Sequence, residues 1–313
     1  MEDYAKTLTE FEVRFSSEEA CRDYLYQLRW PNGFQCPRCG HEKAWPLGAV
    51  LYQCARCDYQ VSVIAGTIFQ ATHKSLTLWF RTIWWVTAQK NGASALGLKS
   101  ILGLGSYRTA WAWLHKIRRA MVTPGRDRLA GTVEVDETYV GGERPGKRGR
   151  GAAGKTLVLI AAEVSGTRIG RIRLRRVMDA SAASLEGAVQ QAIDPGNVIR
   201  TDGWSGYSQL NLLGYAHEVV RKDADVGENL LPSCHRVAGL LKRWLMGTHQ
   251  GAVSPEHLDY YLDEFTFRFN RRTSKYRGKL FHRLLQNAVA ADAVTFRQLT
   301  KGVRQQRRQH HNI

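Results

Sequence analysis

Val133-Glu134-Val135-Asp136-Glu137-Thr138-Tyr139-Val140 alternates apolar and polar side chains as a strand does, and Asn197-Val198-Ile199-Arg200-Thr201-Asp202-Gly203 is a second such run ending on a carboxylate. Two aspartates delivered by distant strands are a way to build a Mg²⁺ site. The ion prefers carboxylate oxygens and keeps positions open for water and a substrate phosphate. A lone Asp at a strand end also serves as an ordinary turn residue, so the rest of the chain has to decide between the two readings.

Charge favours the first. The 313 residues carry 45 Lys and Arg against 28 Asp and Glu, a formal charge of +17. The excess is densest in the segments 144–155, 168–176, 242–243, 268–279 and 304–308. Such a chain binds polyanions through counterion release. At 43% hydrophobic residues it also holds enough apolar material for two or three cored units, which excludes a disordered basic tail. No apolar run is long enough to span a membrane, and the acidic start Met1-Glu2-Asp3-Tyr4 does not resemble a signal peptide, so the expected compartment is the cytosol.

Four of the six cysteines form Cys36-Pro37-Arg38-Cys39 and Cys54-Ala55-Arg56-Cys57. In a reducing compartment two such knuckles predict one tetrahedral Zn²⁺ held by Cys36, Cys39, Cys54 and Cys57, a structural ion because protein fills every ligand position. Cys21 and Cys234 are left over and read as small buried hydrophobes.

The remaining punctuation predicts a helix after Ser17, the ribbon, and then helices from Ser75 to about Lys90, from Ala93 to Leu102 and after Ser106. Those three helices have a helix-turn-helix layout. Arg108, His115, Lys116, Arg118 and Arg119 are its candidates for a DNA-facing side, while its tryptophans read as core. Beyond Pro124-Gly125 the order becomes β-β-β-α-β-β followed by helices, a mixed α/β sheet. The expected organisation is 1–65, leading helix and ribbon; 66–125, helix-turn-helix; 126–300, the α/β unit; and 301–313, a basic tail. The glycines near 141–151 read as a basic loop, and no phosphate-cradling string is present, so ATP is not expected.

The two knuckles, VEVDETYVGG (residues 133–142), TDGWSGY (201–207) and the long string from His235 to Arg272 together resemble bacterial insertion-sequence transposases of the ISXO2-like kind. These join a zinc ribbon to a DDE-type, RNase H-like domain, and the likeness covers nearly the whole chain. It implies a multi-domain α/β protein with a mixed sheet flanked by helices. It implies Asp136 and Asp202 on neighbouring strands, and two Mg²⁺ or Mn²⁺ ions. It also implies binding of terminal inverted repeats, strand cleavage and strand transfer, and a homo-oligomer assembled on DNA at the nucleoid.

Phosphodiester transfer fits that donor set on chemical grounds, since two ions about 4 Å apart stabilise the attacking and leaving oxygens. Asp136 reads as the bridging ligand and Asp202 as the second. The third position departs from the family pattern, because no acid occupies the expected helix start. His235 stands there instead, with Lys242 two turns later on the same helix face as a phosphate contact; Glu228 and Glu264 remain alternatives. Glu134 shares the face of Asp136 and can assist, whereas Glu137 points to the opposite face. Arg243, Arg268, Arg271 and Arg272 read as further phosphate contacts, and Trp204 and Tyr207 as either stacking platforms or core. A non-catalytic zinc-ribbon regulator, native or a decayed transposase, is the alternative function.

Overall fold

The computed structural model describes residues 3–123, 125–141, 155–220, 230–251 and 253–301. The predicted loop 143–150, Glu228 and all but the first residue of the basic tail lie outside them. In chain order the elements are helices α1 (Leu8–Arg14) and α2 (Glu18–Arg29), strands β1 (Ala44–Leu47), β2 (Leu51–Cys54) and β3 (Gln60–Ser62), and helices α3 (Leu76–Ala88), α4 (Ala95–Ile101) and α5 (Tyr107–Ala120). Then come strands β4 (Thr132–Val140), β5 (Thr156–Ser165) and β6 (Arg168–Val177), helix α6 (Ala182–Ala192), and strands β7 (Val198–Thr201) and β8 (Ala216–Val219). Helices α7 (Pro232–His249), α8 (Leu258–Asn270), α9 (Arg277–Ala290) and α10 (Phe296–Thr300) complete the chain. Among the described residues no helix is long and apolar enough to cross a membrane.

The chain divides into two compact units, one made of residues 1–124 with 274–313, the other of 125–273. The first holds the antiparallel sheet β1-β2-β3 and a helical core. Side-chain caps start its helices: Ser17 Oγ accepts the Ala20 N–H at 3.1 Å, and Ser75 Oγ that of Leu78 at 3.3 Å. The Glu18 carboxylate takes the Leu76 and Thr77 N–H groups at 3.0 and 2.9 Å, so the start of α2 anchors the start of α3. The core is aromatic. Phe281 of α9 lies 5.3 Å from Phe11 and 5.6 Å from each of Phe15, Phe80 and Trp84, ring centre to ring centre. Trp79 stacks on Trp113 at 3.9 Å, in line with the reading of the tryptophans as core.

Two expectations change here. Helix α9, assigned by sequence to the 126–300 segment, packs on α2, α3 and α5, because its Phe281 completes their aromatic cluster. The predicted DNA-facing side of α5 is largely closed: His115 and Arg118 are buried, burial pulls the Lys116 ammonium pKa down, and Arg119 has Nε and Nη1 shut off from solvent. The cause is that α5 packs against α4, α9 and α10 at once. What it leaves open is its first turn, Tyr107 and Arg108, and the Arg108 guanidinium there sits 4.4 Å from the centre of the Phe296 ring.

The second unit is a five-stranded mixed sheet in the order β6-β5-β4-β7-β8, antiparallel from β6 to β4 and parallel from β4 to β8. This is the RNase H-like arrangement expected. Both faces are covered. On one, α6 and the turn at Ser205–Tyr207 pack over Val133, Val135, Leu159 and Ile199; on the other, α7 and α8 pack over Val158, Ile160, Ile172 and Leu174. That accounts for the nearly unbroken apolar run of β5, a strand with no solvent face.

Candidate active site

The pleat decides which side chains of β4 look toward α7. Val133 and Val135 join the core on the α6 side, so Glu134 and Asp136 face the other way. Strand β7 runs parallel to β4 with Thr132 opposite Val198, Val133 opposite Ile199 and Glu134 opposite Arg200. Continued by two residues, this register leads from Asp136 to Asp202, just past the end of β7, and the Asp202 carboxylate is near enough to act on Asp136.

Helix α7 supplies the third group. The His235 Nε2 lies 3.3 Å from Asp136 Oδ2. Asp136 is 19% exposed and His235 53%, so the pair sits at the rim of the sheet, open to a large substrate. The Asp136 pKa is pushed up to about 6, above all because burial disfavours its charge. The Glu137 N–H, which donates to Asp136 Oδ1 at 2.8 Å, and His235 oppose that rise, while the carboxylates of Glu137 and Asp202 add to it. A cation between the aspartates would relieve the crowding. The donor set, oxygens first with one imidazole, suits a divalent ion of the Mg²⁺ or Mn²⁺ type.

Lys242 stands on the same helix as His235 and within electrostatic reach of Asp136. Burial is the main cause that lowers its pKa and Lys155 adds to it, while Asp136 acts the other way. Lys155, at the end of the basic loop, thus lies within electrostatic reach of Lys242. Arg243, next to Lys242, is exposed.

Two alternatives for the third group are open from the sequence. Glu228 lies outside the described residues. Glu264 is 1% exposed on α8, its Oε1 bonded by Arg268 Nε at 2.9 Å and Nη2 at 2.8 Å. Arg268 is thereby corrected from a phosphate contact to the partner of a buried acid; it keeps only 13% of its side-chain exposure. Its neighbours also have partners within the protein, although Arg272 stays exposed. Arg271 lies 4.2 Å over the Phe267 ring, and Arg272 donates to the Gly170 and Phe269 carbonyls at 3.3 and 2.9 Å and to that of Ile169. Arg272 thereby fastens the end of α8 to the start of β6.

The aromatic candidates are structural. Tyr207 is buried and its hydroxyl donates to Glu137 Oε2 at 2.8 Å, which ties the turn after Asp202 to the far face of β4. Trp204 donates its indole N–H to the Ala180 carbonyl at 2.9 Å. A Cβ at Gly206 would meet that same carbonyl at 2.7 Å, so the turn tolerates nothing larger than glycine.

In the first unit the four ribbon cysteines form a separate centre. The two knuckles repeat each other bond for bond: Cys36 N–H to His41 O at 2.9 Å and Cys54 N–H to Tyr59 O at 3.0 Å, Gly40 N–H to Cys36 O at 2.9 Å and Asp58 N–H to Cys54 O at 3.1 Å. Gly40 and Asp58 occupy equivalent places with φ of +74° and +53°. Cys36 Sγ is 3.7 Å from Cys57 Sγ, and Cys39 Sγ 3.6 Å from Cys54 Sγ. A tetrahedron built on Zn–S bonds of about 2.3 Å has edges of about 3.8 Å, so the thiolates fit zinc and are too far apart for disulfides. Among the described residues this is the one set of three or more possible ligands whose donor atoms all converge.

Comparison with known proteins assigns a family domain to each of the two segments. Residues 16–60 match the transposase zinc-ribbon domain and residues 128–270 the ISXO2-like transposase domain. A Halobacterium salinarum protein described as an uncharacterized protein in transposable element ISH50 is 31% identical over 284 residues, covering 81% of this chain and 91% of the relative. The chain belongs to the ISXO2-like transposase family, with a zinc ribbon ahead of its DDE-type domain.

Proposed function

We propose that this transposase binds the terminal inverted repeats of its element and cleaves and rejoins strands at a site made of Asp136, Asp202 and His235. The observation that carries the reading is the parallel register of β4 and β7, which leads from Asp136 to Asp202, with the His235 imidazole 3.3 Å from Asp136. Divalent ions held there would supply charge stabilisation for the attacking and leaving oxygens. Asp136 is the natural shared ligand, being flanked by both other groups. With its pKa raised to about 6, Asp136 is still largely ionised at neutral pH, and its crowded charge favours a cation. Lys242, within electrostatic reach of Asp136, supplies positive charge near the carboxylates, where a phosphate arrives. DNA ends are bound by the ribbon and the open first turn of α5 at Arg108, with Arg243 as a further backbone contact; residues 66–125 act as the end-reading segment and 126–273 as the catalytic one. A homo-oligomer on paired ends is the working species.

The test is strand nicking in Mg²⁺ or Mn²⁺ of a duplex carrying the element end. Asp136→Ala, Asp202→Ala and His235→Ala should each lower cleavage at least about a thousandfold, roughly 4 kcal/mol of transition-state stabilisation, with end binding nearly intact. Retained cleavage in any of them removes that residue from the site. A wild type that binds ends but never nicks them would point to a regulator.

A further inference from the structure

Glu134 is buried at the centre of the sheet, yet its carboxylate does not face open solvent or another strand. It accepts the Ser233 N–H at 2.8 Å, the Ser233 hydroxyl at 3.1 Å and the Cys234 N–H at 3.1 Å, all in the first turn of α7. That helix starts on Pro232, and the residue before it, Leu231, has no side-chain oxygen to cap with. A strand acid 99 positions away does the capping instead, its carboxylate oxygens set against the positive end of an 18-residue helix.

What lies next to these bonds gives them a purpose. Asp136 is two residues along β4 on the same face, about 7 Å away by strand rise. His235 is the residue immediately after Cys234. One stretch of strand, 134–136, thus faces one helical turn, 233–235, with a hydrogen-bonded anchor at one end and the Asp136–His235 pair at the other. A second lock comes from the Cys234 thiol, which meets the Ile160 carbonyl at 3.5 Å on the neighbouring strand. Rotation of the helix start by one residue is about 100°, which would carry the imidazole off the site.

We propose that Glu134 is a positioning residue: its carboxylate holds the first turn of α7 on β4 in the rotation that brings His235 to the ion held by Asp136. The proposal rests on the reading of Asp136 and His235 as metal ligands.

Mn²⁺ binding to the full-length, zinc-loaded chain without DNA tests it by electron paramagnetic resonance, which reports both affinity and the ¹⁴N coupling of a bound imidazole. Wild type should show that coupling and His235→Ala should lose it. Glu134→Ala, folded by circular dichroism, should bind Mn²⁺ about tenfold or more weakly and lose the coupling. Glu134→Asp keeps the carboxyl group but falls short by one methylene, and should bind at least about threefold more weakly. A folded Glu134→Ala with wild-type affinity and coupling overturns the proposal; if the alanine variant does not fold, a wild-type result for Glu134→Asp does the same. Absence of Mn²⁺ binding in the wild type, or coupling that survives His235→Ala, would instead sink the site assignment on which it rests.

Discussion

Replacing Asp136 by Asn should make the protein inactive and more stable. The native carboxyl titrates at about 6 against an ordinary value of 3.8, a difference of 2.2, and each pKa unit is worth about 1.4 kcal/mol. The side chain is well covered by protein, so little of this is screened by solvent. Because the folded pKa is the higher one, the native state holds its proton more tightly than the unfolded state. Below about pH 4 both states are protonated and the group contributes no pH-dependent term. Between about pH 4 and 6 the unfolded chain has released its proton and the native one has not, so stability falls as pH rises; above about 6 the loss levels off near 3 kcal/mol.

Asn keeps the oxygen that accepts the Glu137 N–H and removes the charge, so it should recover up to about 3 kcal/mol at pH 7.5 and almost nothing at pH 4. For a chain of this size each kcal/mol is about 2–4 °C, which gives a rise of as much as about 10 °C. The assay is thermal unfolding of both proteins from pH 4 to 8 with zinc bound and no other divalent ion. Added Mg²⁺ should then narrow the gap, since it stabilises only the chain that binds it. An Asn variant no more stable than wild type at pH 7.5, or a gap that does not change with pH, would refute the electrostatic account of the site.

Cys57→Ser should release about one zinc per chain and loosen the segment around residues 30–65, seen by metal analysis and by faster amide exchange confined to that segment. Arg268→Ala leaves the Glu264 carboxylate buried without its guanidinium, and should cost about 3–5 kcal/mol in denaturant unfolding. An arginine that only followed phosphates would leave stability within about 0.5 kcal/mol and weaken DNA binding instead.

Strand periodicity and knuckle spacing are local properties, which is why β4, β7 and the Cys₄ cluster are legible in the sequence. The interval from Asp202 to His235 likewise points to the helix that the structure brings beside Asp136. The misreadings have a common origin in partners distant along the chain. Basic residues on α5 look like an exposed stripe until α9, far downstream, covers them. Arg268 belongs to a run with the composition of a phosphate track, and only the fold reveals the buried Glu264 as its partner. Glu134 is legible as sharing the face of Asp136, but its bonds to α7 are not, because its three donors lie about 100 positions away.

Helix α9 also bears on the order in which the chain is made. Phe281 is buried among Phe11, Phe15, Phe80 and Trp84, and leaves the ribosome after about 200 further residues have followed Phe80. At about 5–20 residues per second that is a delay of roughly 10–40 s. The segment 125–273 is continuous and has been made whole before Phe281 is added, whereas the N-terminal helices wait through that interval with an unfilled aromatic core. A nascent or prematurely terminated polypeptide therefore completes the unit with the aspartates before the unit with the ribbon. Translation to nearly the last helix becomes a condition for a finished N-terminal unit, a built-in discrimination against truncated products.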